Sequence, residues 1–124
     1  MNTILILDDE YVVRQSFVDY FEDRLWRVVQ AETGEQALEL LETEQPEVAI
    51  VDIRLPGIDG DVFIREAIGR KKALAFVICS GSPSYGVPDD LQNQVSVSKH
   101  FFRKPVTNFN ELEQDALRIM KKSA

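Results

Sequence analysis

The chain has 124 residues, enough for one domain around one core. Its 44% apolar and 28% charged content is that of a globular fold, and no apolar run reaches the ~18 residues of a membrane span. A net charge of −7 argues against nucleic acid, whose phosphates require a basic patch.

The start, Met1-Asn2-Thr3, lacks the basic-then-apolar order of a secretory signal. Thr3 to Leu7 is a continuous apolar run, expected of a strand buried on both faces, and it stops at Asp8-Asp9. A helix is predicted from about Tyr11, with Val13, Phe17, Tyr20 and Phe21 at helical spacing. Trp26 reads as hydrophobic filler where that helix ends. Arg27 to Ala31 is shorter and more polar, as an edge strand is. Thr33-Gly34-Glu35 opens a second helix that turns Ala37, Leu38 and Leu41 to one face. Pro46 leads into a third strand, Glu47 to Val51, which delivers Asp52 at its carboxyl end. Pro56-Gly57 turn the chain, and a third helix from Asp59-Gly60 buries Phe63, Ile64, Ala67 and Ile68. Ala75 to Cys79 is again wholly apolar and therefore central. Cys79, the single cysteine, excludes an intramolecular disulfide and reads as a small core residue. Residues 80–90 are rich in breakers, so a fourth helix starts only at about Pro88 and lasts roughly two turns. Val97 to Phe102 mixes polar and apolar residues, a second edge strand. After Lys104-Pro105 the last helix runs from about Phe109, with Asn108 as N-cap and Glu111 three residues on.

No repeat or linker interrupts this pattern, so residues 1–124 read as one domain. Five β–α units imply an α/β doubly wound, five-stranded parallel sheet with helices on both faces. Burial ranks the first, third and fourth strands as central, which gives the order 2-1-3-4-5. Ligands bind such a sheet where the winding reverses, here between the first and third strands. Asp8, Asp9 and Asp52 converge there. Three close carboxylates repel one another unless something offsets the repulsion, and an all-oxygen donor set suits Mg²⁺. A carboxylate is also a competent nucleophile on phosphorus. Ser80 supplies a hydroxyl and Lys104 a cation at the same rim, the groups a transferring phosphoryl requires.

Asp8-Asp9-Glu10, Asp52-Ile53-Arg54-Leu55-Pro56-Gly57-Ile58-Asp59-Gly60, Ser80-Gly81 and Lys104-Pro105 together resemble the receiver domain of two-component response regulators. The resemblance spans nearly the whole chain and implies the flavodoxin-like, CheY-like (βα)5 fold. It makes Asp52 the phosphoacceptor. It makes Asp9 a direct Mg²⁺ ligand, Asp8 a ligand mostly through water, and the backbone carbonyl of Arg54 a further ligand. Ser80 and Lys104 contact the phosphoryl group, Phe101 is the switch aromatic, and Lys104–Pro105 is the bond that is usually cis. The implied partners are a histidine kinase or histidine phosphotransfer protein upstream and an unidentified protein downstream, in the cytoplasm, with no direct nucleic acid and no membrane. The implied domain is a switch that assists its own phosphorylation and dephosphorylation, not an enzyme acting on an external metabolite.

Two departures fall on the face that receivers use for output. Ser98-Lys99 stand where the family usually has Gly-Ala, and the fourth-helix region is short and rich in Pro, Gly and Ser. Bland readings stand beside the sharp ones. Asp8-Asp9 alone could be a solvated loop, Ser80 a turn residue, and Arg54 an exposed loop residue or one that overhangs the phosphoryl group. Phe101 and Phe102 alternate, so one of them is expected to face inward. His100 reads as an exposed strand residue. The alternative functions are an aspartate-nucleophile phosphohydrolase, or a receiver fragment of a larger regulator or hybrid kinase. A nucleotide-binding module lacks its glycine-rich loop here.

Overall fold

The computed structural model describes residues 1–70 and 72–123. Ten elements alternate: β1 (Thr3–Leu7), α1 (Tyr11–Asp23), β2 (Arg27–Ala31), α2 (Gly34–Glu44), β3 (Val48–Asp52), α3 (Gly60–Gly69), β4 (Ala75–Ser80), α4 (Asp89–Gln92), β5 (Val97–Arg103) and α5 (Phe109–Ser123). All strand pairs are parallel, in the order β2-β1-β3-β4-β5. The predicted architecture and order are those observed.

The apolar strand runs resolve into two alternations, because side chains along a strand point to opposite faces in turn. Leu5, Leu7, Ala49, Val51, Phe76 and Ile78 join Ala37, Leu41, Phe63 and Ile64 on the side covered by α2 and α3. Ile4, Ile6, Val48, Ile50, Val77 and Cys79 join Phe17, Phe21, Leu112 and Ala116 on the side covered by α1 and α5. Full burial of each Val, Leu, Ile or Phe among them contributes about 1.5–3 kcal/mol. β1, β3 and β4 are buried throughout, whereas β2 alternates and β5 is exposed or half-buried from Lys99 on, as expected of edges.

Helix ends follow their sequence signals. Thr33 accepts from the Gln36 N–H, Asp59 from the Val62 N–H, and Asn108 Oδ1 from the Glu111 N–H. Gly57 turns the chain with φ +77°, a conformation that L side chains resist. At Gly60 a Cβ would lie 2.3 Å from the Asp52 carbonyl oxygen. Glycine therefore lets α3 start directly against the end of β3, with the Gly60 N–H bonded to the Ile53 carbonyl.

Three expectations change. α4 is a single turn of four residues rather than two turns. The segment reaches its next strand too quickly for more, since Gln94 already closes a turn onto Val97. Phe101 and Phe102 both pack inward, one on each side of the sheet. Between the pairs Phe76–Val97 and Ile78–Phe101 one residue of β4, Val77, opposes three of β5, so β5 bulges. Ser98 sits fully buried in that bulge, where its hydroxyl donates to Asp115 of α5 and accepts the His100 N–H. Trp26 is more than filler. It is buried, and its Nε1–H donates to Glu113 at 2.9 Å. The same buried carboxylate accepts from Tyr20 and Arg24, which ties the end of α1 to α5. Burial opposes its charge, yet the three donors hold the Glu113 carboxyl below its usual pKa. Cys79 is buried and His100 exposed, as expected. Among the described residues, no buried side-chain polar atom lacks a hydrogen-bond partner.

Candidate phosphoacceptor site

β1, β3 and β5 present three charged residues at one rim of the sheet. Asp8 follows β1, Asp52 ends β3, and Lys104 follows β5. All are nearly enclosed, with side-chain exposures of 3%, 6% and 12%. Lys104 Nζ lies 2.7 Å from Asp8 Oδ2, 3.1 Å from Asp52 Oδ2 and 3.7 Å from Glu10 Oε1. One ammonium therefore bridges two buried carboxylates. Its backbone N–H bonds to the Ser80 carbonyl at 3.0 Å, which fixes the loop that carries it against β4. The Lys104–Pro105 bond is cis, as the resemblance implies.

The electrostatics follow from enclosure. Burial is the main force on Asp52 and, with the charge of Asp8, outweighs Lys104 and pushes its carboxyl up to about 6. Burial works against the Lys104 charge, but Asp8 and Asp52 prevail and hold its pKa above the ordinary lysine value. Asp9 lies near enough to add a little to the upward push on Asp52.

Asp8, Asp9 and Glu10 each place one carboxylate oxygen within 4.8 Å of the others. Asp8 is buried, with its Oδ1 accepting the Glu10 N–H, while Asp9 and Glu10 face outward. Asp52 is not a member of this tight trio, and Glu10, which was not foreseen as a donor, is. The three hard oxygen donors fit a small divalent cation such as Mg²⁺.

Ser80, buried at the end of β4, accepts the Ser82 N–H at 3.1 Å. Arg54 is exposed and reaches Ser82 Oγ at 3.4 Å, spanning the loops that follow β3 and β4. Phe101 is half-buried, edge-on to Tyr85 with ring centroids 5.4 Å apart, and the Arg103 guanidinium lies 5.5 Å from its centroid. Tyr85 in turn donates its hydroxyl to Asp61 at 2.9 Å. Burial raises both the Tyr85 and Asp61 pKa values. An open groove of about 840 Å³ runs beside the rim, lined by Arg54, Asp61, Ser82 and Tyr85 among others.

Sequence reasoning passed over Arg14 and Tyr85. Arg14 has a signal: it lies three and four residues before Phe17 and Val18, on the inward face of α1. Tyr85 has none, because its partners lie on α3 and β5.

Residues 4–116 match the family described as response regulator receiver domain. The chain is 37% identical over 100 residues to sporulation initiation phosphotransferase F of Bacillus subtilis, covering 79% of this chain and 78% of that protein. It is 29% identical over 119 residues to protein-glutamate methylesterase/protein-glutamine glutaminase 2 of Oleidesulfovibrio alaskensis, covering 94% of this chain but 33% of that protein. Among solved structures, response regulator protein TrrA from Thermotoga maritima, in complex with Mg(2+)-BeF, is similar with a TM-score of 0.80 at 25% identity, over 96% of this chain and 99% of that one. Among the described residues, no helix is long and apolar enough to cross a membrane.

Proposed function

Since the chain belongs to the response regulator receiver family, whose members act in phosphorelays, we propose that Asp52 is its phosphoacceptor. The observation that carries this is the pairing of a buried Asp52, at the end of the central strand, with Lys104 at 3.1 Å. In the proposed transfer a carboxylate oxygen of Asp52 attacks the phosphorus of a phosphohistidine on a histidine kinase or phosphotransfer protein. The P–N bond breaks, the imidazole leaves with its electron pair and takes a proton, and an aspartyl phosphate remains. Lys104 is placed to meet a phosphoryl oxygen, and Ser80 to offer its hydroxyl to another. Asp8, Asp9 and Asp52, with the Arg54 carbonyl and with Glu10 beside the first two, would hold Mg²⁺, which when bound neutralises charge on the transferring group.

Ser80 donates its hydroxyl to the new phosphoryl oxygens and moves toward them, away from the Ser82 N–H it accepts, and its shift leaves room into which Phe101 turns from Tyr85. The surface around β5 then changes for a downstream protein partner. The receiver reading extends over residues 1–124 and describes a cytoplasmic switch that turns over no external metabolite. Phosphohydrolase activity is not favoured, and the methylesterase relative extends well beyond the span matched here.

Acetyl phosphate and Mg²⁺ should add one phosphoryl group to the native protein and none to Asp52→Asn, read by intact mass. Equal labelling of both would remove Asp52 from this role.

A further inference from the structure

A charged side chain on the inward face of an amphipathic helix must find partners in the interior. Arg14 of α1 is such a residue, with its side chain only 7% exposed. Its Nη1 donates to the Asp8 backbone carbonyl at 2.8 Å, its Nε to Gln30 Oε1 at 3.1 Å, and its Nη2 to Glu32 Oε1 at 3.2 Å. The Tyr11 ring lies beside the guanidinium, 5.6 Å from Cζ. One planar fork therefore joins α1, the end of β2 and the loop after β1. An ammonium has no such fixed fork of donors.

The Asp8 carbonyl belongs to the peptide that launches Asp9. The Asp8 N–H is held by the Ala31 carbonyl, its Oδ1 by the Glu10 N–H, and its Oδ2 by Lys104. With Arg14 on the carbonyl, the turn is clamped at every polar atom of Asp8. The orientation of that peptide decides where the carboxylates of Asp9 and Glu10 aim. We propose that Arg14 is a positioning residue that sets Mg²⁺ affinity by orienting the Asp8–Asp9 peptide, without touching the metal or the phosphoryl group. The proposal rests on reading Asp8, Asp9 and Glu10 as Mg²⁺ donors.

The test is calorimetric titration with Mg²⁺ of the native protein, Arg14→Met and Arg14→Lys. It is joined by acetyl phosphate labelling rates across a range of Mg²⁺ concentrations. Loss of an outer-shell partner weakens metal binding roughly 10–100-fold. Both variants should raise the Mg²⁺ Kd by about that factor and shift half-maximal labelling by the same factor. The labelling rate at saturating Mg²⁺ should fall much less. Wild-type Kd values in both variants would overturn the role of Arg14 while leaving the metal reading intact. An unchanged Kd with a lowered plateau rate would make Arg14 a general structural residue, also against the proposal. No Mg²⁺ binding by the native protein would remove the reading on which the proposal rests, and the proposal with it. Should Arg14→Met fail to fold, Arg14→Lys and Glu32→Ala decide, since the latter removes only an exposed anchor of the fork. A raised Kd in those two supports the proposal, and native Kd values overturn it.

Discussion

At the scale of single residues, the burial that encloses Asp52, the proposed acceptor, makes its charged form costly. Its carboxyl is pushed up to about 6 in the fold, first by burial and then by Asp8, against about 3.9 in an unfolded chain. The folded state therefore favours the protonated form. Without metal, the contribution of Asp52 to stability should be greatest below about pH 4, fall as pH rises between about 4 and 6, and level off above. A gap of this size corresponds to about 3 kcal/mol at most. In EDTA, Asp52→Asn should stabilise the protein by about 1–3 kcal/mol at pH 7.5, with the gain vanishing near pH 4. Urea unfolding across that pH range measures it, and a variant no more stable than the native chain at pH 7.5 would contradict the strain. The rim positions of Asp52 and Ser80 were legible because each ends an apolar run, and that of Lys104 because it stands before Pro105 just past the last strand. Helical spacing puts Arg14 on the inward face of α1, but its bonds were not legible, because Gln30 on β2 and Glu32 just after it come to the Asp8 carbonyl only in the packed structure.

At the scale of elements, α4 shows what local sequence can and cannot dictate. The breakers between Ser80 and Pro88 correctly limited it, and a single turn cannot hold itself together. It is held by the buried Leu91 and Val87 and by two links to α3. One is the exposed ion pair of Arg65 with Asp90, the other the part-buried bond from Tyr85 to Asp61. An exposed pair is screened by water and contributes little, whereas a less exposed hydrogen bond contributes about 0.5–1.5 kcal/mol. Tyr85→Phe should therefore speed amide hydrogen exchange at Leu91 and Gln92 by up to about tenfold, and Asp90→Ala by less than about threefold. Exchange in β1 and β3 should not change. The reverse order of effects would mean that the ion pair, not Tyr85, anchors α4. The helix caps at Thr33, Asp59 and Asn108 were readable because a cap is satisfied within three residues. The bulge in β5 was not, because it depends on Ser98 meeting Asp115, seventeen positions away.

At the scale of the whole molecule, the order β2-β1-β3-β4-β5 was recoverable because burial on both faces leaves no polar positions inside a central strand. That same central burial encloses Cys79, which pairs in register with Asp52 on one side and Phe102 on the other. Its thiol is fully enclosed, and burial pushes its pKa far above the ordinary thiol value, so almost no thiolate exists at neutral pH. An alkylating reagent can reach it only when the middle of the sheet comes apart. Cys79 is thus a built-in clock for that opening, next to the proposed acceptor and needing no engineered label. Iodoacetamide adducts counted by mass spectrometry should accumulate slowly in buffer and at a rate that climbs with urea in step with unfolding. Mg²⁺ with beryllofluoride should slow the clock, since a ligand of the native state lowers the open population. Rapid alkylation in buffer would mean that the centre of the sheet opens without global unfolding.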